Sequence, residues 1–215
     1  IVFDGNCATA LEGLYAAGED TGGVHGANRL GGNGVANSTV FGGLAGDAMA
    51  KWTPSAGPRV EPDPAAIEAA IVRCRQPLAK PVGDLEAIRE RLYDMMWEDA
   101  GIIRDAESLD RADAELLNLD REIDETGVAG TSLEYNMAWH DWMNIKNLIL
   151  VSRSIVAAAK VRDDSRGAHF RADFPEPRDI ENSRFTQVRW ADGEISVDTE
   201  PVEFTRVRPG ETIIT

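Results

Sequence analysis

Cysteine is nearly absent. The chain of 215 residues has two, Cys7 and Cys74. Their separation fits no metal-ligand spacing and nothing argues for a bridge between them, so both read as reduced thiols of a cytosolic protein, and no metal site is expected. Basic residues are few: 22 Lys and Arg stand against 37 Asp and Glu, for a net charge of −15. That balance excludes an extended nucleic-acid or anionic-membrane surface. Long apolar runs are missing as well. Stretches such as 148–151 are far too short to cross a bilayer, so no direct membrane insertion is expected, and no signal peptide is visible. Aromatic residues make up 7% of the chain, and its five tryptophans are scattered and form no stacking platform. There is no internal repeat and no low-complexity tract. The chain opens on Ile1 without an initiator methionine, which suggests a piece of something longer.

What is present is a composition able to build a core, at 43% hydrophobic, and a very uneven use of glycine. Most of the chain's 20 glycines fall in its first 50 residues. That region reads as short strands and turns, among them "IVFDGN" and a small-residue strand "GLYAAGE", followed by a helix from about residue 33 toward residue 49. Four prolines between Lys51 and Pro64 mark residues 51–62 as a linker. Residues 63–164 read as a bundle of three to four helices. Asp63-Pro64 opens a helix expected to turn Ile67, Ile71 and Cys74 inward and to stop before Pro77. A second starts at Asp84 and carries the stripe Leu85, Ile88, Leu92, Met95 and Met96. A third covers about 106–125 with Leu109, Ala112, Leu116, Leu119 and Ile123 on one face, ended by Gly127 and Gly130. A capping box at 131–134 is expected to start the fourth, which runs to about residue 161 and, being apolar on more than one face, belongs at the bundle's centre. Between Glu98 and Glu125, eleven carboxylates face three arginines, the pattern of a solvated helical face. Residues 165–215 read as irregular, then as a hairpin turning at Asp192-Gly193, with a further strand in "VEFTRVRP". The fold class is therefore mainly α, an α+β arrangement with a helical bundle between a Gly-rich start and a C-terminal β segment.

Gly31, Gly32 and Gly34 just before a helix would present bare backbone amides to an electron-rich group. The G-x-G-x-x-G fingerprint is not met, because Asn37 stands where the third glycine belongs. Tight backbone packing explains the glycines equally well. Arg29 sits among small residues, and a guanidinium held there needs an anion. That anion is either a carboxylate of the protein or the carboxylate of a substrate gripped by paired hydrogen bonds.

The string "GLYAAGE…GGVHGANRLGGN…VFGGLAGD" resembles the flavin-site segment of the succinate dehydrogenase/fumarate reductase flavoprotein family. A second string, "DDSRGAHFRADFPEPRDIEN", resembles that family's C-terminal segment, and the helices between resemble its helical domain. The resemblance implies residues 1–50 as the end of an FAD-binding domain. It further implies FAD as cofactor in a longer parent protein, whose N-terminal FAD-binding part and capping domain have no counterpart here. Arg29 matches the arginine that grips a substrate carboxylate, and Glu19 the acid that meets the ribityl chain. Gly34 and Val35 match the residues whose amides meet the flavin ring, with Asn33 beside them. Respiratory members read "GGNSLLD" where this chain reads "GGNGVAN". The spacing from Glu19 to Arg29 is that of the soluble fumarate reductase branch.

The implied reaction interconverts succinate and fumarate, or a similar dicarboxylate, by hydride transfer at flavin N5. The proton-transfer arginine belongs to the capping domain, so no catalytic residue is expected within these 215 residues, and the fragment alone is expected to be inactive and to hold FAD poorly. An iron-sulfur or other electron-transfer subunit is the implied partner, with a cytoplasmic location, peripheral at the inner membrane face through partner subunits. An L-aspartate oxidase-like or other carboxylate oxidoreductase is the neighbouring alternative. A non-catalytic helical docking module is the alternative from a different class. His25 and His169 read either as direct participants or as hydrogen-bonded structural residues. Arg166 and Arg171 read as braces between the C-terminal segment and the flavin domain. His140 reads as a helix-surface or bundle-seam residue.

Overall fold

The computed structural model describes residues 1–58 and 60–212. Arg59, inside the expected linker, and 213–215, at the end of the expected C-terminal segment, lie outside the described residues. Among the described residues, five α-helices and four short strands form two compact units. The first comprises Ile1–Glu61 with Arg166–Ala168, and the second Pro62–Ser165 with His169–Thr215.

The first unit is mostly loop leading into α1 (Asn33–Trp52). The two expected strands at its start do not form. A single bridge between Ala8 and Tyr15 stands in their place, because turns dominate: Asp4 Oδ1 accepts the amides of Asn6 at 2.8 Å and Ala8 at 2.9 Å. Cys7 follows with φ 63°, fully buried, its Sγ 3.5 Å from the carbonyl of Phe41 on α1. Trp52 closes the helix against this loop. Its ring fills the space where a Cβ on Gly13 would stand. α1 thus continues two residues into the expected linker, and a 3-10 turn, Thr53–Ser55, follows it.

The second unit holds the main core. α2 (Pro64–Arg75) is capped by Asp63, whose carboxylate accepts the amide of Ala65. α3 (Leu85–Asp99) is capped by Asp84. α4 (Ala106–Glu125) opens with a reciprocal Asp105–Ser108 capping box. α5 (Met137–Lys160) starts later than its sequence suggests. Its cap is Asn136, which accepts the Trp139 amide at 3.0 Å. Ser132 closes only a local turn with Glu134, and Tyr135 at φ 55° breaks the path between them.

Ile88, Leu92, Leu109, Leu116, Leu119, Ile123, Ile145, Ile149 and Val156 are shut off from solvent and join α3, α4 and α5. α2 stays outside this core. Ile67 and Ile71 are exposed, and no residue of the helix is buried, so the inward face expected for it is not used within this chain. α5 likewise buries one face and leaves Leu148, Val151 and Ile155 exposed. The acidic face of α4 is not simply solvated. Arg91 of α3 reaches Glu115 and Glu122, each at 2.6 Å, and from α5 Lys146 and Arg153 meet Asp120 while Lys160 meets Asp110 and Asp113.

Gly127 follows α4 for a reason other than a left-handed cap. A Cβ there would lie 2.1 Å from the carbonyl of Lys80, and its amide donates to Pro81 at 2.7 Å. Short β1 (Ile103–Arg104) pairs in parallel with β2 (Phe170–Arg171). β3 (Arg184–Ala191) and β4 (Glu194–Pro201) make the expected hairpin, turning on Asp192 and Gly193 at φ 54° and 84°, the mirror-image turn that matches strand twist. The further strand expected after residue 201 does not form among the described residues. No described helix is long and apolar enough to cross a membrane.

Candidate functional site

The candidate site lies in the first unit. Gly32, at φ 82°, delivers the chain into α1 with no side-chain cap. The amide of Asn33 returns to Leu30, and those of Val35 and Ala36 to Gly32. The amide of Gly34 has no partner among the described residues. A helix start left this bare favours an electron-rich group. Val35 is 75% exposed on the same turn.

Arg29 and Glu19 meet here. Arg29 Nη1 donates to Glu19 Oε1 at 2.7 Å, with the side chains 46% and 80% exposed. Of the two anions weighed for the guanidinium, the structure shows the protein's own carboxylate. Gly34 makes room for it, since a Cβ at Gly34 would stand 2.9 Å from Arg29 Nη1. The three residues singled out from sequence are therefore one cluster.

Asn37, on the second turn of α1, is the residue that sequence reasoning passed over as a missing glycine. It is 4% exposed, and its Nδ2 lies 3.2 Å from the Gly18 carbonyl and 3.3 Å from His25 Nε2. Its only signal in the sequence was its place in the pattern, one helical turn past Asn33.

The two motifs touch at Gly167. With φ 59° and a would-be Cβ 2.1 Å from the carbonyl of Ala27, only glycine fits, and the amide of Ala168 donates to that same carbonyl at 3.2 Å. Arg166, half-buried, precedes this contact.

His169 belongs to the second unit. Arg104 Nη1 lies 3.1 Å from its Nδ1, while Nε2 is buried without a partner among the described residues. Burial, reinforced by the charges of Arg104 and Arg162, pushes its pKa down to about 4, so the ring is neutral there near pH 7. Arg104 also donates to the carbonyls of Ala100 and Gly101. Arg171, 2% exposed, braces the end of α5 rather than the flavin segment. Its Nη1 donates to the carbonyls of Ala159 and Arg162, and its other nitrogens grip Asp173. That grip holds the Asp173 carboxyl down to about 2.

A family model described as an FAD binding domain matches residues 1–35, the stretch that holds the Gly-lined, uncapped helix start and the exposed Arg–Glu pair. The model described as fumarate reductase flavoprotein C-term matches residues 69–213. The chain belongs to the succinate dehydrogenase/fumarate reductase flavoprotein family.

It is 35% identical over 174 residues to a polypeptide of the CoM/CoB fumarate reductase of Methanothermobacter marburgensis, covering 79% of this chain and 30% of that relative. It is 34% identical to the fumarate reductase flavoprotein subunit of Mycobacterium tuberculosis, covering 98% of this chain and 38% of the relative. Among solved structures, a quinol-fumarate reductase with menaquinol molecules superposes with a TM-score of 0.86 at 31% identity, over 97% of this chain and 37% of the other. The Mycobacterium smegmatis Sdh1 complex in the apo form gives 0.80 at 31%, over 92% and 34%. The chain spans about a third of the length of the relatives it matches.

Proposed function

We propose that this chain is the C-terminal part of an FAD-dependent oxidoreductase that interconverts succinate and fumarate, or a closely similar dicarboxylate. The observation that carries the reading is the Arg29–Glu19 pair, held at 2.7 Å beside the open amide of Gly34. An ion pair this exposed is worth roughly 0–1 kcal/mol. Arg29 therefore exchanges Glu19 for an incoming carboxylate at little cost, and its fork geometry donates two parallel hydrogen bonds to that carboxylate's oxygens. Glu19, released, is an acceptor for hydroxyl groups. Asn33, Gly34 and Val35 offer the helix start to a ring edge that carries partial negative charge.

FAD, bound in the whole protein, supplies the redox chemistry. The residues here hold and orient: Arg29 fixes one end of the substrate, and the α1 amides fix one end of the ring. Proton transfer falls to residues outside this stretch, so the reaction needs the longer polypeptide, and an electron-transfer subunit is its natural partner.

The test uses that full-length polypeptide. Stoichiometric flavin absorbance with succinate oxidation or fumarate reduction is the expected result. Arg29→Gln should keep the flavin and raise the dicarboxylate KM by roughly 10- to 100-fold, the worth of a lost charged hydrogen bond. Unchanged KM in Arg29→Gln, or a flavin-free polypeptide, sinks the reading.

A further inference from the structure

The Gly18 carbonyl is a small hub. It accepts the amide of Thr21 at 3.1 Å, the Thr21 hydroxyl at 2.6 Å and Asn37 Nδ2 at 3.2 Å. Gly18 itself sits at φ 100°, a left-handed conformation that favours glycine. Glu19 is the next residue. Asn37 is the one partner of this hub that comes from α1, and it lies one turn past Gly34 on that helix. Its orientation is fixed by the hub. Were the amide turned over, its oxygen would face the Gly18 oxygen and both donors would point away. In the orientation shown, Asn37 Oδ1 is buried without a partner among the described residues. An unmet acceptor costs on the order of 1–3 kcal/mol, so what the fold retains at this position is the pair of N–H donors.

One of those donors faces His25 Nε2 at 3.3 Å. A nitrogen that receives an N–H must offer its lone pair. The proton of the neutral ring is then on Nδ1.

We infer that Asn37 is a positioning residue: it ties the loop bearing Glu19 to the helix start bearing Gly34, and it fixes His25 as the Nδ1–H tautomer. His25 is thereby a hydrogen-bond donor at Nδ1, with Nε2 committed to Asn37 and withdrawn from service as a base. The link to flavin and dicarboxylate rests on the function proposed above, whereas the tautomer does not.

The test is Asn37→Asp, which keeps the shape and removes both donors. Two-bond proton–nitrogen correlation spectra of this chain read the tautomer directly, with His25 assigned by its loss in His25→Gln. The expected wild-type pattern is Nδ1–H, moving to Nε2–H in Asn37→Asp as the ring turns donor toward the new carboxylate. A wild-type His25 in the Nε2–H form overturns the inference whether or not the variant folds, and so does an Asn37→Asp spectrum that stays Nδ1–H. FAD titration of the full-length polypeptide separates the two readings. If the wild type takes up FAD and Asn37→Asp weakens it roughly tenfold or more, the positioning role stands. If the wild type takes up FAD and the variant matches it, that role falls and the proposed function survives. If the wild type takes up none, the proposed function falls and the tautomer alone decides for or against Asn37.

Discussion

Arg29 shows how much a single missing side chain can decide. Its guanidinium stands where a Cβ on Gly34 would intrude to 2.9 Å. The clash is with the far end of a flexible side chain, so Gly34→Ala moves Arg29 and leaves the backbone in place. Alanine is also the better helix former by about 1 kcal/mol. The variant should therefore melt at the same or a higher temperature while dicarboxylate affinity in the full-length polypeptide falls, and calorimetry beside substrate titration checks both halves. A drop in melting temperature would show that Gly34 is needed for its backbone rather than for the space beside Arg29.

His169 gives the residue scale its pH dependence. Its folded pKa, about 4, lies below the ordinary value of 6.5. Between those values the unfolded chain binds a proton that the folded chain refuses. Its contribution to stability is thus complete above pH 6.5 and is lost as the pH falls toward 4. Partial exposure screens the effect, so it is best read as a difference. The stability of wild type minus His169→Asn should shrink across that window in denaturant titrations and stay flat above it. His169→Asn is chosen because its Oδ1 keeps an acceptor for Arg104. Glu19 and Arg29 were legible in the sequence as members of a string, but their direct pairing was not, since nothing in a ten-residue separation says that a loop will fold back on itself. Asn37 was invisible for a different reason: its work is done by burial and by partners at Gly18 and His25, and a sequence shows neither.

At the scale of elements, starts were easier to read than ends or neighbours. Asp63, Asp84 and the Asp105–Ser108 box cap α2, α3 and α4 through bonds local in sequence. The stripes of α3 and α4 likewise became the core. The start of α5 was misread because Ser132 satisfies a nearby turn, leaving Asn136 to cap. The end of α4 depends on a residue far along the chain. Trp142 Nε1 donates to the carbonyls of Ile123 and Thr126, both at 2.9 Å, from a side chain 2% exposed. Trp142→Phe keeps most of the apolar volume but strands the Thr126 carbonyl, since the Ile123 carbonyl still accepts the Thr126 amide, at a cost on the order of 1–3 kcal/mol. Urea titration should show that loss with an unchanged m value. A loss near zero would mean that the Thr126 carbonyl finds another donor.

For the whole molecule, composition missed the wiring. The net charge of −15 is real, yet much of α4's share of it is offset across the bundle by Arg91, Lys146, Arg153 and Lys160. A count along the chain cannot see this, because the cations come from α3 and α5. The exposed apolar residues of α2 and α5 teach the same lesson from the other side: periodicity reports that a face is apolar, and only the fold reports whether this chain covers it. The Glu19–Arg29 spacing named a branch of the family by analogy, and quinol-linked members are among the relatives described above.

Gly167 carries one consequence into time. Ala27 lies against Gly167 and Ala168, and the first unit counts Arg166–Ala168 among its own. A chain is made from its N-terminus. The helices of the second unit, Pro64 through Lys160, have all been synthesised before those three residues leave the ribosome. The first unit is therefore completed only after those helices exist, and the loop that presents Arg29 waits for a clasp from beyond the bundle in sequence.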